Sequence, residues 1–264
     1  MKKLFLIFTA LMALNSFVMA QGTPAKETYT VNGVSFKMVS VEGGTFNMGG
    51  TEDQGEMIVP QPVREVTVEN FSIGETEVTQ ALWEAVMDTN PSYLKGKDLP
   101  VNNVSWNDCQ KFIKQLTKLT GKSFRLPTEE EWEYAARGGK KDRPTRFAGS
   151  NNIDEVAWHA RNSGTRHLDE ECSFEDMRNY HCTLHPVATK LPNELRIYDM
   201  TGNVNEWTST KYTRSKYKSE RKKYIERGGS FWTRSEVSLI VSNIGVLSPD
   251  VQNIESGLRL ALSE

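Results

Sequence analysis

Helical periodicity is confined to one stretch of this chain, and that confinement limits the fold more than any other feature. Between residues 79 and 139, three segments place an apolar stripe at helical spacing behind a capping residue. Thr79 precedes Leu82, Trp83, Val86 and Met87, and Asn90-Pro91 closes that segment. Ser105 and Asp108 form a capping-box pair ahead of Cys109, Phe112, Ile113, Leu116 and Leu119, a face expected to be buried up to the stop at Gly121. Thr128, with Glu131 three residues on, opens the third segment. Its acids Glu129, Glu130 and Glu131 complement the positive end of the helix dipole before Gly138-Gly139 ends it.

The flanks read differently. Val31 to Met48 alternates as strands do, and Gly43-Gly44 predicts a hairpin turn there. A polar loop with Pro60 and Pro62 follows, then a second alternating run from Val63 to Ile73. After Gly139 there are turns, scattered aromatics and short strands, with no helical stripe. Helices gathered early and irregular structure late predict an α+β domain. Apolar residues make up 38% and charged residues 25%, which excludes a disordered chain. With 32 Lys+Arg against 34 Asp+Glu, no basic balance points to nucleic acid. Three Cys and no CxxC exclude a disulfide-dense scaffold and a zinc ribbon.

The N-terminus predicts export. Lys2 and Lys3 precede an apolar run from Leu4 to Leu14, and Val18 and Ala20 stand at −3 and −1 of a small-residue cleavage site. Residues 1–20 are expected to leave as a signal peptide. The run is shorter than the roughly 18 apolar residues of a spanning helix. No Cys follows the cut for a lipid anchor, and no later stretch could span a bilayer. The mature chain is expected to begin at Gln21, to be periplasmic or secreted, to carry a flexible leader over 21–35, and to fold from 36 to 264.

Seven ordered blocks carry a resemblance. FRLPTEEEWEYAARGG (Phe124 to Gly139), LRIYDMTGNVNEWTS (Leu195 to Ser209), RGGSF (Arg227 to Phe231) and GLRLA (Gly257 to Ala261) resemble the hallmarks of formylglycine-generating enzyme, or sulfatase-modifying factor, domains. GGTFNMG near residue 43, EVTQALWEAVM near 77 and LPVNNVSWNDCQKF near 99 keep the same order. The resemblance spans Phe36 to Leu262 and implies a loop-rich variant of the C-type lectin-like fold. Read from the residues alone, Arg125, Glu131, Glu133, Trp132 and Tyr134 are a packed, capped helix with ion pairs.

The resemblance also implies where chemistry would sit. Catalytic members hold Cu(I) on two Cys five residues apart, shortly after the GGS motif, and oxidise a sulfatase Cys to formylglycine. Thiolates suit that soft cation and hydroxyls do not. In RGGSFWTRSEVSLIVSNIG the two positions fall on Thr233 and Ser238, and no Cys follows Cys182. Copper is therefore not expected, and no catalytic residue is assigned. The family's structural calcium site matches Asp199, Gly202, Val204 and Glu206, two carboxylates and two turn carbonyls suited to a hard cation. Asn205 stands where the family's WEW has its first Trp.

Other candidates remain open from the residues themselves. Cys109 on its helix face reads as a buried thiol. Cys172 and Cys182, ten apart in a polar stretch that looks like an insertion (Thr165 to Leu184), predict a local disulfide in an exported protein. The alternative is a metal site with His159, His167, His181 and His185. Lys211 to Tyr224 carries seven bases and one acid among three Tyr and reads as a solvated loop or an anion-binding one. Phe231, Trp232 and Arg234 form a candidate ligand-binding face, with aromatic anchors and an anion contact. The expectation is an exported non-oxidase binding or scaffold module whose partner is a protein or glycan outside the cytoplasm. The alternative is a formylglycine-generating oxidase. An iron-dependent sulfoxide synthase would need a helical partner domain for which the chain has no room.

Overall fold

The computed structural model describes residues 24–50, 62–213 and 222–263. The signal peptide, the start of the leader and residues 214–221 of the basic run lie outside them.

The first strand begins inside the segment expected as a leader. β1 (Lys26–Val31) pairs antiparallel with β2 (Val34–Val41) across Asn32-Gly33. Both turn residues take positive φ, 45° and 83°, the geometry for which Asn-Gly is the preferred hairpin pair. The reading of 21–35 as flexible is thus corrected from Lys26 onward. In KETYTV, Tyr29 and Val31 face inward, and the intervening polar residues are those of an edge strand.

Gly43-Gly44 is not a hairpin turn. β3 (Gly44–Met48) leaves the first sheet and pairs with β4 (Arg64–Val68) instead. The backbones cross so closely at Gly43 that a Cβ there would stand 2.3 Å from the Val68 carbonyl oxygen. The alternating run from Val63 to Ile73 is likewise two strands in different sheets. β4 pairs with β3, and β5 (Phe71–Gly74) pairs with β2.

The three capped helices form where expected. α1 (Gln80–Met87) is capped by the Thr79 hydroxyl, which accepts from Leu82 N, and Asp88 in the left-handed conformation ends it. α2 (Trp106–Thr120) has the Ser105–Asp108 capping box and stops at Gly121 with φ 70°. Cys109, Phe112, Ile113 and Leu116 are buried, and full burial of each larger apolar side chain contributes about 1.5–3 kcal/mol. Leu119 is 43% exposed, a correction to the expected stripe. Ten residues along the helix it lies roughly 80° around from Cys109, at the edge of the buried face. β6 (Phe124–Arg125) leads into α3 (Glu129–Ala136), whose capping box joins Thr128 and Glu131.

After α3 the sequence hides two short helices, α4 (Ile153–Val156) and α5 (Phe174–Asn179). The second carries a full Ser173–Asp176 capping box, a legible start signal on a helix too short to show periodicity. The remaining strands are β7 (Asn205–Lys211), β8 (Tyr224–Arg227), β9 (Gly245–Leu247), β10 (Ser256–Leu258) and β11 (Ala261–Ser263). They complete a five-stranded sheet in the order β1-β2-β5-β11-β6 and a four-stranded sheet in the order β10-β7-β8-β9. The C-terminal strand β11 thereby sits inside the first sheet, between β5 and β6. Helices α1 and α2 cover one core, where Trp83 stacks on Phe112 with ring centres 4.8 Å apart. Among the described residues no helix is long and apolar enough to cross a membrane.

Candidate functional site: the loop after Gly-Gly-Ser

Four of the sequence blocks meet in the interior and clamp the two sheets together. Arg259 is fully buried. Its Nε lies 3.0 Å from each Glu206 carboxylate oxygen, and its Nη2 donates to Glu206 Oε1 at 2.6 Å. Its remaining donors reach the carbonyls of Gly74, Tyr198 and Asp199. Trp132 Nε1 donates to Glu206 Oε2 at 2.6 Å. Beside it Arg227 Nη2 donates to Glu133 Oε2 at 2.7 Å, and Arg137 holds the other Glu133 oxygen. Despite burial, those two guanidinium groups keep the Glu133 carboxyl below its usual range. Arg125 and Glu131 pair through two bonds of 2.6 Å. The packed, ion-paired reading of these blocks holds.

This clamp bears directly on the expected calcium set. Glu206 has both oxygens committed to Arg259 and Trp132, so it has no free direction for a hard cation. Asp199 Oδ2 accepts from Ala188 N at 2.7 Å, leaving only Oδ1 bare. Gly202 and Asn203 are drawn against Trp158, whose carbonyl oxygen would stand 2.3 Å from a Cβ at Gly202. Asp199, Gly202, Val204 and Glu206 are neighbours; the guanidinium of Arg259 supplies positive charge to Glu206, Asp199 Oδ1 is buried without a partner among the described residues, and calcium would need six to eight oxygen ligands there. The sequence reading missed a third carboxylate, Glu77, which accepts from Asn203 Nδ2 at 2.7 Å and Val204 N at 3.0 Å. Burial, with Asp199 and Glu206 close, pushes Glu77 well above the usual carboxylate range. Burial likewise raises Asp199 to about 6. No local signal marks Glu77, because its partners lie more than 100 residues away in sequence.

From this frame the chain emerges at Gly228-Gly229-Ser230. Both glycines take positive φ, and a Cβ at Gly229 would press within 2.5 Å of Leu239. The loop that follows touches three separate cavities. Thr233 and Ser238 share one of about 350 Å³ with Asn205, Arg227 and Asn243. No thiol is among its lining residues. Thr233 Oγ1 already accepts from Ser230 N at 2.9 Å, while Ser230 Oγ donates to Glu255. These hydroxyls and amides do not fit Cu(I). The second cavity, also about 350 Å³, is largely apolar and is bounded by Leu94, Leu184, Phe231, Trp232 and Ile254. Tyr93 stands on its rim at 82% exposure, and the buried Trp232 Nε1 has no acceptor among the described residues.

Arg234 does not join Phe231 and Trp232. It turns to the other side, where its guanidinium lies 4.5 Å over the Phe174 ring and Nη1 donates to the Cys172 carbonyl at 3.0 Å. There it lines a third cavity with Arg146 and Arg161. The expected three-residue face is corrected to two residues. Neighbours in an irregular loop can point to opposite sides.

The expected disulfide is also corrected. Cys172 and Cys182 are free, buried thiols in one cluster with Ala160, Leu168 and Met177. Cys182 Sγ donates to the Ala160 carbonyl at 3.1 Å, and burial pushes both thiols up. Cys109 is buried and free as expected. The four His do not gather. His159 and His167 share Asp154 at 3.1 and 3.2 Å, and His185 stacks on Trp158 at 3.6 Å. Among the described residues no group of three or more metal-ligating side chains could hold an ion. Tyr224, the end of the basic run, is not on a solvated loop but stacks in the core on Trp106 at 4.0 Å.

Known proteins are similar to this chain in sequence and fold. Over 264 aligned residues the chain is 32% identical to the chaperone protein LppX of Paenibacillus barcinonensis, covering 88% of this chain and 91% of that one. It is 27% identical to the mouse formylglycine-generating enzyme, covering 74% of this chain and 66% of the enzyme's length. The solved structure of Treponema denticola variable protein 1 matches with a TM-score of 0.74 at 28% identity, over 92% of this chain and all of that one. The model of the sulfatase-modifying factor enzyme 1-like domain matches residues 25–264, the same span whose blocks build the clamp, and the chain belongs to that family.

Proposed function

We propose that this protein is an exported, non-oxidase binding or scaffold module built on the formylglycine-generating-enzyme frame. One observation carries the reading. The cavity where the family's copper would be held presents Thr233 and Ser238, whose hydroxyls stay protonated near neutral pH and bind Cu(I) poorly. The two thiols in the second half of the chain are buried elsewhere, and their raised pKa makes them poor ligands. The similarity to a protein named as a chaperone over nearly the whole length favours recognition of another macromolecule. The apolar cavity with Phe231 and Trp232 is the recognition face. Its exposed rim residues Tyr93 and Leu94 suit an apolar or aromatic side chain of a protein partner.

The test pairs chemistry with capture. Purified protein is incubated with a sulfatase-derived Cys peptide, copper and a thiol reductant under air, then followed by mass spectrometry. No aldehyde is expected, and aldehyde formation would restore the oxidase reading. The double variant Thr233→Cys, Ser238→Cys is expected to gain copper binding on an unchanged fold. The exported protein, recovered from its own compartment, is expected to begin at Gln21. It should co-purify with a partner that Trp232→Ala no longer retains.

A further inference from the structure

The third cavity, on the far side of the 230–239 loop, is cationic. It measures about 680 Å³ and is lined by Arg146, Arg161 and Arg234, with Glu170, Ser235 and Glu236. Three guanidinium groups face two carboxylates, so one positive charge is left over. Arg161 is nine-tenths buried, at 9% exposure. It donates from Nη1 to Glu170 at 3.1 Å and from Nη2 to Glu236. Its Nε, and the Nε of Arg146, are buried and meet no acceptor among the described residues. A buried N–H without a partner costs free energy that an acceptor would recover. Arginine has only donors, in a planar fork that matches carboxylate and sulfate oxygens.

Arg234 is steadied by the Phe174 ring and the Cys172 carbonyl and has no ion pair among the described residues. Glu170 is 84% exposed and only loosely placed, whereas Glu236 is largely covered. Glu170 is therefore the carboxylate that an incoming anion would displace. The volume exceeds that of a bare oxyanion and falls in the range of small-ligand pockets.

We infer that this cavity binds a sugar-sized organic anion through a carboxylate or sulfate group set between Arg146, Arg161 and Arg234. Glu170 acts as an internal competitor that leaves when the ligand arrives. The site is distinct from the apolar cavity at Trp232 and does not rest on the reading of that face.

Titration calorimetry at low salt with the full mature protein tests it. The probes are glucuronate, glucose 6-sulfate and neutral glucose. Saturable binding is expected for the two anions and not for glucose, weakening as salt rises. Arg146→Gln and Arg234→Gln should each weaken it about tenfold, the loss of one charge-assisted hydrogen bond. Glu170→Gln, which removes the competitor, should tighten it several-fold, an effect that misfolding would not produce. Tyr93→Ala, on the exposed rim of the apolar cavity, should leave it unchanged, which separates this site from the apolar one. Absence of saturable binding by either anion up to about 10 mM, equal binding of glucose, or parental affinity in the arginine variants would overturn the inference.

Discussion

The interior clamp and the 230–239 loop lie a few residues apart and follow opposite rules. In the clamp, Arg259 engages all three of its nitrogens with protein acceptors and Glu206 both its oxygens, and among the named clamp donors only Arg227 Nε lacks an acceptor among the described residues. In the loop, Trp232 Nε1 lacks an acceptor, as do Arg146 and Arg161 Nε beside it. The clamp is made from the residues that identify the family. The loop holds Thr233 and Ser238, the positions at which we propose the family's chemistry would sit. A buried network fails if one member is lost, whereas a half-exposed loop on a rigid frame can exchange its residues at little cost. Family membership therefore says much about the clamp and little about what the loop does.

The largest effect that could break this contrast is at Arg259. Arg259→Met should leave Glu206 buried without its cation and cost about 3–5 kcal/mol in urea unfolding. A loss below 1 kcal/mol would mean the clamp is not what holds the sheets together.

A second test concerns pH. Burial, with Glu255 nearby, raises Glu226 from its ordinary 4.5 to about 7. Between those values the folded chain holds a proton that the unfolded chain has released. This group's contribution to stability is therefore greatest below about pH 4.5, falls as pH rises to about 7, and is level above it. The total is about 3 kcal/mol. Glu226→Gln should be increasingly stabilised relative to the parent across that window, as read from melts at pH 4, 6 and 8. A pH-independent difference would refute the raised pKa.

The smallest effect is a null. Because Arg259 already compensates Glu206, a calcium chelator should leave the melting temperature where it was. A drop of several degrees would show that Asp199 Oδ1 and its neighbours hold an ion after all.

Much of the fold was legible where the signal is local. The Thr79, Ser105 and Thr128 caps each depend on a residue three positions ahead, and each formed as read. Asn32-Gly33 is an equally local signal, but the polar residues that flank it read as a flexible leader. The strand they form is an edge strand, exposed along one face. Gly43-Gly44 misled because two glycines can signal a turn or a close crossing, and only the partner strand distinguishes them.

The sequence by itself determined the family, the α+β class, the three capped helices and the absence of a thiol after Cys182. These depend on residue identity, short-range hydrogen bonds and the order of motifs. Only the tertiary structure decided that Glu206 faces Arg259 rather than open oxygen ligands, that Arg234 turns away from Trp232, and that Cys172 and Cys182 are buried thiols. Each outcome turns on contacts between distant segments or on side-chain direction in irregular backbone. In a helix or strand, periodicity transmits direction along the chain. In a loop, direction is set by whatever packs against it.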